Sequence, residues 1–214
     1  FMSARWATMR SPFAPPARRR LAHAHVLSTG ARNAAEKGLI MEGLVHIYIG
    51  DGKGKTTAAL GLALRAAGAG LSVWYCQFLK QEESCELAAL AHVPNITVQK
   101  GEPTDGFLFA MDEAQRAHAL ESARWRLARA REAMESGRYD MVVLDEFLWL
   151  LTNDAVTTEE ALAMIAARSR GCELVLTGGF APDELIDAAD YVSEIAKRKH
   201  PFDRDLPARR GIEF

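Results

Sequence analysis

The segment Val45 to Arg65, VHIYIGDGKGKTTAALGLALR, concentrates the residue types that grip phosphate. Gly50, Gly52 and Gly54 let backbone N–H groups turn inward around an anion, and a helix starting just after them aims its positive end at the same point. In that setting Lys55 suits phosphate oxygens, Thr56 offers a hydroxyl to Mg²⁺, and Lys53 adds a second cation. Asp51 and Thr57 complete the loop. A common phosphate loop has four residues between its glycines, whereas Gly50 and Gly54 are separated by three. A plain glycine turn is the alternative, but it has little use for GKGKTT between a strand and a helix.

A second group lies in MVVLDE, an apolar run that ends in Asp145 and Glu146. In open parallel sheets ligands collect at the carboxyl ends of strands. Acids placed there can hold Mg²⁺ directly or through water, or can cap the next turn. Arg65 follows Lys55 by ten residues, which on a helix is about 15 Å along the axis; a solvated face is its other reading. Phe107 and Phe109 fit an apolar pocket or the core equally well. His200, in KRKHPFD, reads as structural or solvated rather than as a ligand.

These residues need a frame, and the chain alternates strand and helix signals from Gly43 onward, the pattern of a mostly parallel α/β sheet covered on both faces. Strands are expected at Val45–Ile49, Ser72–Phe78, Ile96–Gln99, within MVVLDE and ELVLT, and at Tyr191–Ala196. Helices are expected at Lys55–Ala67, about Asp112–Ser136, from Thr157 to about Ala167, and at Pro182–Ala189. Leu120, Ala123, Leu127, Ala130 and Met134 recur at helical spacing and mark a buried stripe. Thr157 and Glu160 have the spacing of a capping box.

The 214 residues suffice for one α/β domain, and no apolar run reaches the roughly 18 residues of a membrane span. Cys76, Cys85 and Cys172 lack the spacing of a disulfide framework or zinc site and read as reduced thiols of a cytoplasmic protein. Residues 1–40 carry six arginines and one lysine against the single acid Glu36, while the remainder has 19 bases against 27 acids. That balance argues against a broad nucleic-acid surface on the folded part. The expected division is a basic, poorly ordered extension over 1–40 and one phosphate-loop domain over 41–214. An Arg-rich, acid-poor extension also has the composition of a transit peptide; the preferred reading is a leader or an upstream start, since Met41 closely precedes the first strand.

GDGKGKTTAALGLALRAAGAG with QFLK, then VVLDE, LVLTGGFAPDELIDAADYVSEI and KRKHPFDRDLPARRGIEF, resembles the BtuR/CobO/CobP-type corrinoid adenosyltransferases from about Met41 to Phe214. The shortened glycine loop belongs to that pattern. The resemblance implies an enzyme of cobalamin biosynthesis or salvage that moves the 5′-deoxyadenosyl group of ATP to Co(I) of a reduced corrinoid, releasing tripolyphosphate. Co(I) is itself a strong nucleophile, so such a protein needs to position the reactants and stabilise the leaving triphosphate. Matched positions imply triphosphate contacts from Gly50 to Thr57, with Lys55 on its charge, Thr56, Asp145 and Glu146 at Mg²⁺, and nucleotide contacts from Arg65 and Gln77. GFLF stands where some members have GFTW, so Phe107 and Phe109 inherit a corrinoid contact. Many members have arginine after TG, where this chain has Gly179. A homodimer and a flavoprotein reductase partner are further implications.

Two other readings compete. An ordinary phosphate-loop NTPase or small-molecule kinase would direct attack at phosphorus and release ADP. A corrinoid sensor or carrier would bind both ligands without turnover.

Overall fold

The computed structural model describes residues 42–79, 84–99 and 111–213. They belong to the second of two units into which the chain divides, Asn33–Phe214. The basic extension over 1–40, Phe107 and Phe109 lie outside the described residues.

Six strands form one sheet: β1 (Val45–Ile49), β2 (Val73–Gln77), β3 (Ile96–Gln99), β4 (Met141–Asp145), β5 (Glu173–Thr177) and β6 (Tyr191–Glu194). Their order is β3-β2-β4-β5-β1-β6, with every adjacent pair parallel. Both faces of the central strands must therefore be covered, and the strand residues divide by parity. Val142 and Leu144 of β4 join the cluster containing Ala123, Ala130 and Met134 of α3 (Glu113–Glu135). Met141 and Val143 join Ala59, Ala63, Ala66 and Ala67 of α1 (Lys55–Gly68) on the opposite face.

Helix α1 is built to lie close to the sheet, because its buried positions are all alanine. It begins after Gly54, whose φ of 128° lies in a region that favours glycine, and it is followed by Gly70 at φ 81°. Helix α3 has a complete Asp112–Gln115 capping box, and α5 (Thr158–Ala167) has the expected Thr157–Glu160 box. Three short helices fill the remaining connections: α2 (Cys85–Leu90), α4 (Leu148–Thr152) and α6 (Asp183–Asp187). A 3₁₀ turn, Pro201–Arg204, lies in the tail. No described helix is long and apolar enough to cross a membrane.

Candidate functional site

Strand parity also assembles the site. Gln77, Asp145 and Thr177 are the last residues of β2, β4 and β5, in phase with the residues that face α1. Gln77 and Asp145 are register partners, and all three residues are buried. A polar side chain at the end of each strand is thereby delivered under the first turn of α1.

Asp145 is fully buried and collects hydrogen bonds on both carboxylate oxygens. Thr56 Oγ1 donates to its Oδ2 at 3.1 Å, Gln77 Nε2 donates to the same oxygen at 3.2 Å, and Thr177 Oγ1 donates to Oδ1 at 2.7 Å. All three are side-chain donors, which match the acceptor-only character of an ionised carboxylate. Gln77 Nε2 also reaches Glu86 Oε1 at 2.8 Å, while its backbone carbonyl accepts from Arg126 Nη1 at 2.9 Å. Its Oε1 is buried and has no partner among the described residues. The next acid, Glu146, is half-buried and has φ 61°, with its backbone N–H donating to Thr177 Oγ1 at 2.8 Å.

The glycine loop is clasped from outside by the chain that leaves β6. Gly52 N–H donates to the Ile195 carbonyl at 2.7 Å, and the Lys197 N–H donates to Asp51 Oδ1 at 2.8 Å. A Cβ on Gly50 would stand 2.5 Å from the Ile195 oxygen, and Gly50 also has φ 112°, so another residue there requires the backbone to shift. Lys55 Nζ donates to the carbonyls of Gly50 and Gly52 at 2.6 and 2.9 Å, which places the ammonium across the loop.

A cavity of about 460 Å³ opens over this loop, lined by Gly52 to Thr57, Leu60, Cys85, Glu86, Glu146 and Gly211 to Glu213. The tail forms one wall. Glu213 is held below the usual carboxylate range first by hydrogen bonds from Arg209, with Lys53 a smaller cause. Gln77 and Asp145 stand behind this lining, linked to it through Glu86 and Thr56. Arg65 is exposed, away from the lining, and its charge acts on Tyr48. Glycine at 179 has a local reason: a Cβ there would meet the Trp149 ring at 2.9 and 3.1 Å. The Gly179 carbonyl accepts from Gly50 N–H at 3.1 Å, so the turn after β5 supports the start of the phosphate loop.

Thr56, Asp145 and Glu146 offer hard oxygen donors of the kind Mg²⁺ takes. Among the described residues no group of three His, Cys, Asp or Glu side chains forms a metal cage. Mg²⁺ usually keeps several waters and shares substrate phosphates, so its chemistry calls for few protein ligands. Thr177 was missed by sequence reasoning; the signal was a polar residue ending an apolar strand in phase with Asp145.

The model of the family described as ATP:corrinoid adenosyltransferase BtuR/CobO/CobP matches residues 41–214. Corrinoid adenosyltransferase CobA of Salmonella typhimurium is 31% identical over 172 residues, covering 80% of this chain and 86% of that protein. The corrinoid adenosyltransferase of Pseudomonas aeruginosa is 33% identical over 173 residues, covering 80% and 84%. That of Escherichia coli K12 is 30% identical over 172 residues, covering 80% and 86%. The chain belongs to the ATP:corrinoid adenosyltransferase BtuR/CobO/CobP family.

Proposed function

We propose that this protein transfers the 5′-deoxyadenosyl group of ATP to Co(I) of a corrinoid and releases tripolyphosphate. The observation that carries the reading is the Thr56–Asp145 hydrogen bond beneath the short glycine loop, within a chain that matches the family from 41 to 214. The Gly50 to Thr57 loop and the first turn of α1 would hold the triphosphate, with the Gly50 and Gly52 N–H groups kept by the Gly179 and Ile195 carbonyls and the backbone from Lys53 onward facing the phosphates. Lys55, exchanging its carbonyl partners for phosphate oxygens, would stabilise charge as the C5′–O bond breaks. The oxygen leaves with the triphosphate, and C5′ takes its new bond from cobalt.

Mg²⁺ would neutralise charge on the triphosphate, held by the Thr56 hydroxyl and Glu146, with Asp145 orienting Thr56 from below. Gln77 would act by orienting Asp145 and Glu86. The nucleotide contact assigned to Arg65 rests on the resemblance, since the residue lies on an exposed face of α1. Phe107 and Phe109 are assigned to the corrinoid on the same basis. A homodimer, a flavoprotein reductase that supplies Co(I), and a cytoplasmic setting complete the proposal.

The test is an anaerobic incubation of protein, Mg-ATP and chemically reduced cobalamin, following the corrinoid spectrum and identifying the phosphate product. Adenosylcobalamin with stoichiometric tripolyphosphate is expected. ADP with no alkylated corrinoid would instead support the NTPase or kinase reading.

A further inference from the structure

Two acids close to a phosphate loop are useful only if their spacing from the loop is held. Three observations converge on the turn that provides this hold, Thr177 to Gly179. A hydroxyl has one proton and two lone pairs, and at Thr177 the direction of each bond is set: the proton goes to Asp145 Oδ1 at 2.7 Å, and the oxygen accepts from Glu146 N–H at 2.8 Å. The residue is fully buried. Glu146 also adopts a left-handed backbone at φ 61°, a conformation that is costly in a non-glycine residue and persists where neighbouring groups hold it. Two residues after Thr177, the Gly179 carbonyl takes the Gly50 N–H at 3.1 Å, and between them Gly178 N–H donates to the Tyr48 carbonyl at 3.1 Å.

β5 lies between β4, which carries the acids, and β1, which leads into the loop. We propose that Thr177 is a positioning residue for the nucleotide-bound metal, its hydroxyl bracketing Asp145 and Glu146 at a set distance from the phosphate loop. The inference rests on the function proposed above and adds a residue to it. Removing the hydroxyl takes the Thr177 donor from Asp145 Oδ1 and the side-chain acceptor from the Glu146 N–H, loosening both acids, while the glycine loop itself keeps its contacts to Ile195 and Gly179. The loss should therefore fall on the metal-dependent part of ATP binding.

The experiment is calorimetric titration of the full chain with ATP, once in Mg²⁺ and once in EDTA, together with Mn²⁺ binding followed by electron paramagnetic resonance in the presence of ATP. Thr177→Val keeps the β-branched shape and removes the hydroxyl. It is expected to weaken ATP binding in Mg²⁺, and Mn²⁺ binding, by roughly tenfold or more while leaving affinity in EDTA near that of the unaltered protein. Thr177→Ser restores both. If valine unfolds the chain, Thr177→Ala carries the same expectation with less crowding.

A folded valine or alanine variant with unaltered Mg²⁺ dependence would overturn the inference, as would a serine variant as impaired as valine. An unaltered protein that binds ATP equally in Mg²⁺ and EDTA would overturn the metal assignment itself, and this inference with it. A purely structural hydroxyl would lower the melting temperature and weaken both titrations alike.

Discussion

The two ends of the sheet use similar acids in different ways. At the amino ends, Asp140, Asp190 and Glu173 accept hydrogen bonds from backbone N–H groups of Ser72, Val45 and Leu44, at 2.7, 2.8 and 2.9 Å. Those acids satisfy donors at strand starts, and Glu173 also pairs with His46 Nε2 at 2.5 Å. At the carboxyl ends, Asp145 accepts from Thr56, Gln77 and Thr177 side chains. Side-chain donors aim a carboxylate without tying it to the sheet's own backbone. The first arrangement holds strand starts together, whereas the second gathers side chains beneath the glycine loop.

Removing the loop cation has the largest expected effect. Lys55→Ala is expected to lower the adenosyl-transfer rate by about 10²–10³ through lost stabilisation of developing charge, with circular dichroism and melting close to the unaltered protein. Activity within a few-fold of normal would contradict the triphosphate assignment. Next in size is Asp145→Asn, expected to cost roughly 10–100-fold in Mg²⁺-supported activity, because the carboxylate that orients Thr56 loses its charge and an acceptor. The matching change at the other end, Asp140→Ala, should lower stability by about 1–3 kcal/mol by leaving strand-start donors unsatisfied. It should not change kcat per folded molecule, as chemical denaturation paired with active-site titration would show. If Asp140→Ala lowered kcat as far as Asp145→Asn, the division between the two ends would fail.

A smaller effect concerns the cavity lining. Burial pushes the Cys76 thiol up to about 12 and the Cys172 thiol up to about 11, so neither supplies much thiolate at pH 8. Cys85 is half-buried and lines the cavity over the loop. A disulfide reagent such as DTNB should therefore label Cys85 first in the native protein, and ATP should slow that reaction several-fold. Unchanged labelling at saturating ATP would place the nucleotide elsewhere.

Much of this arrangement was legible beforehand because its signals are local. The strand–glycine loop–helix context, the apolar run ending in Asp145 and Glu146, and the Thr157–Glu160 capping box each show within a few residues. The Leu120 to Met134 stripe was also visible, although Arg126 is buried beside it, where its guanidinium meets the Gln77 carbonyl. Helices α2 and α4, of six and five residues, are too short for a hydrophobic period to mark them. Thr177 was hidden for another reason: its role depends on β5 lying between β4 and β1, a strand order that no local pattern reveals. Gly179 likewise makes sense only once Trp149 is seen across it.

The central claim is that the glycine loop holds a triphosphate that leaves intact while C5′ is attacked. ATP labelled with ¹⁸O at the bridge between C5′ and the α-phosphorus tests it most directly, in an anaerobic turnover with reduced cobalamin. Attack at C5′ predicts that the label appears in tripolyphosphate and that adenosylcobalamin forms in equal amount. Label retained in ADP or AMP, with no carbon–cobalt bond formed, would contradict the account.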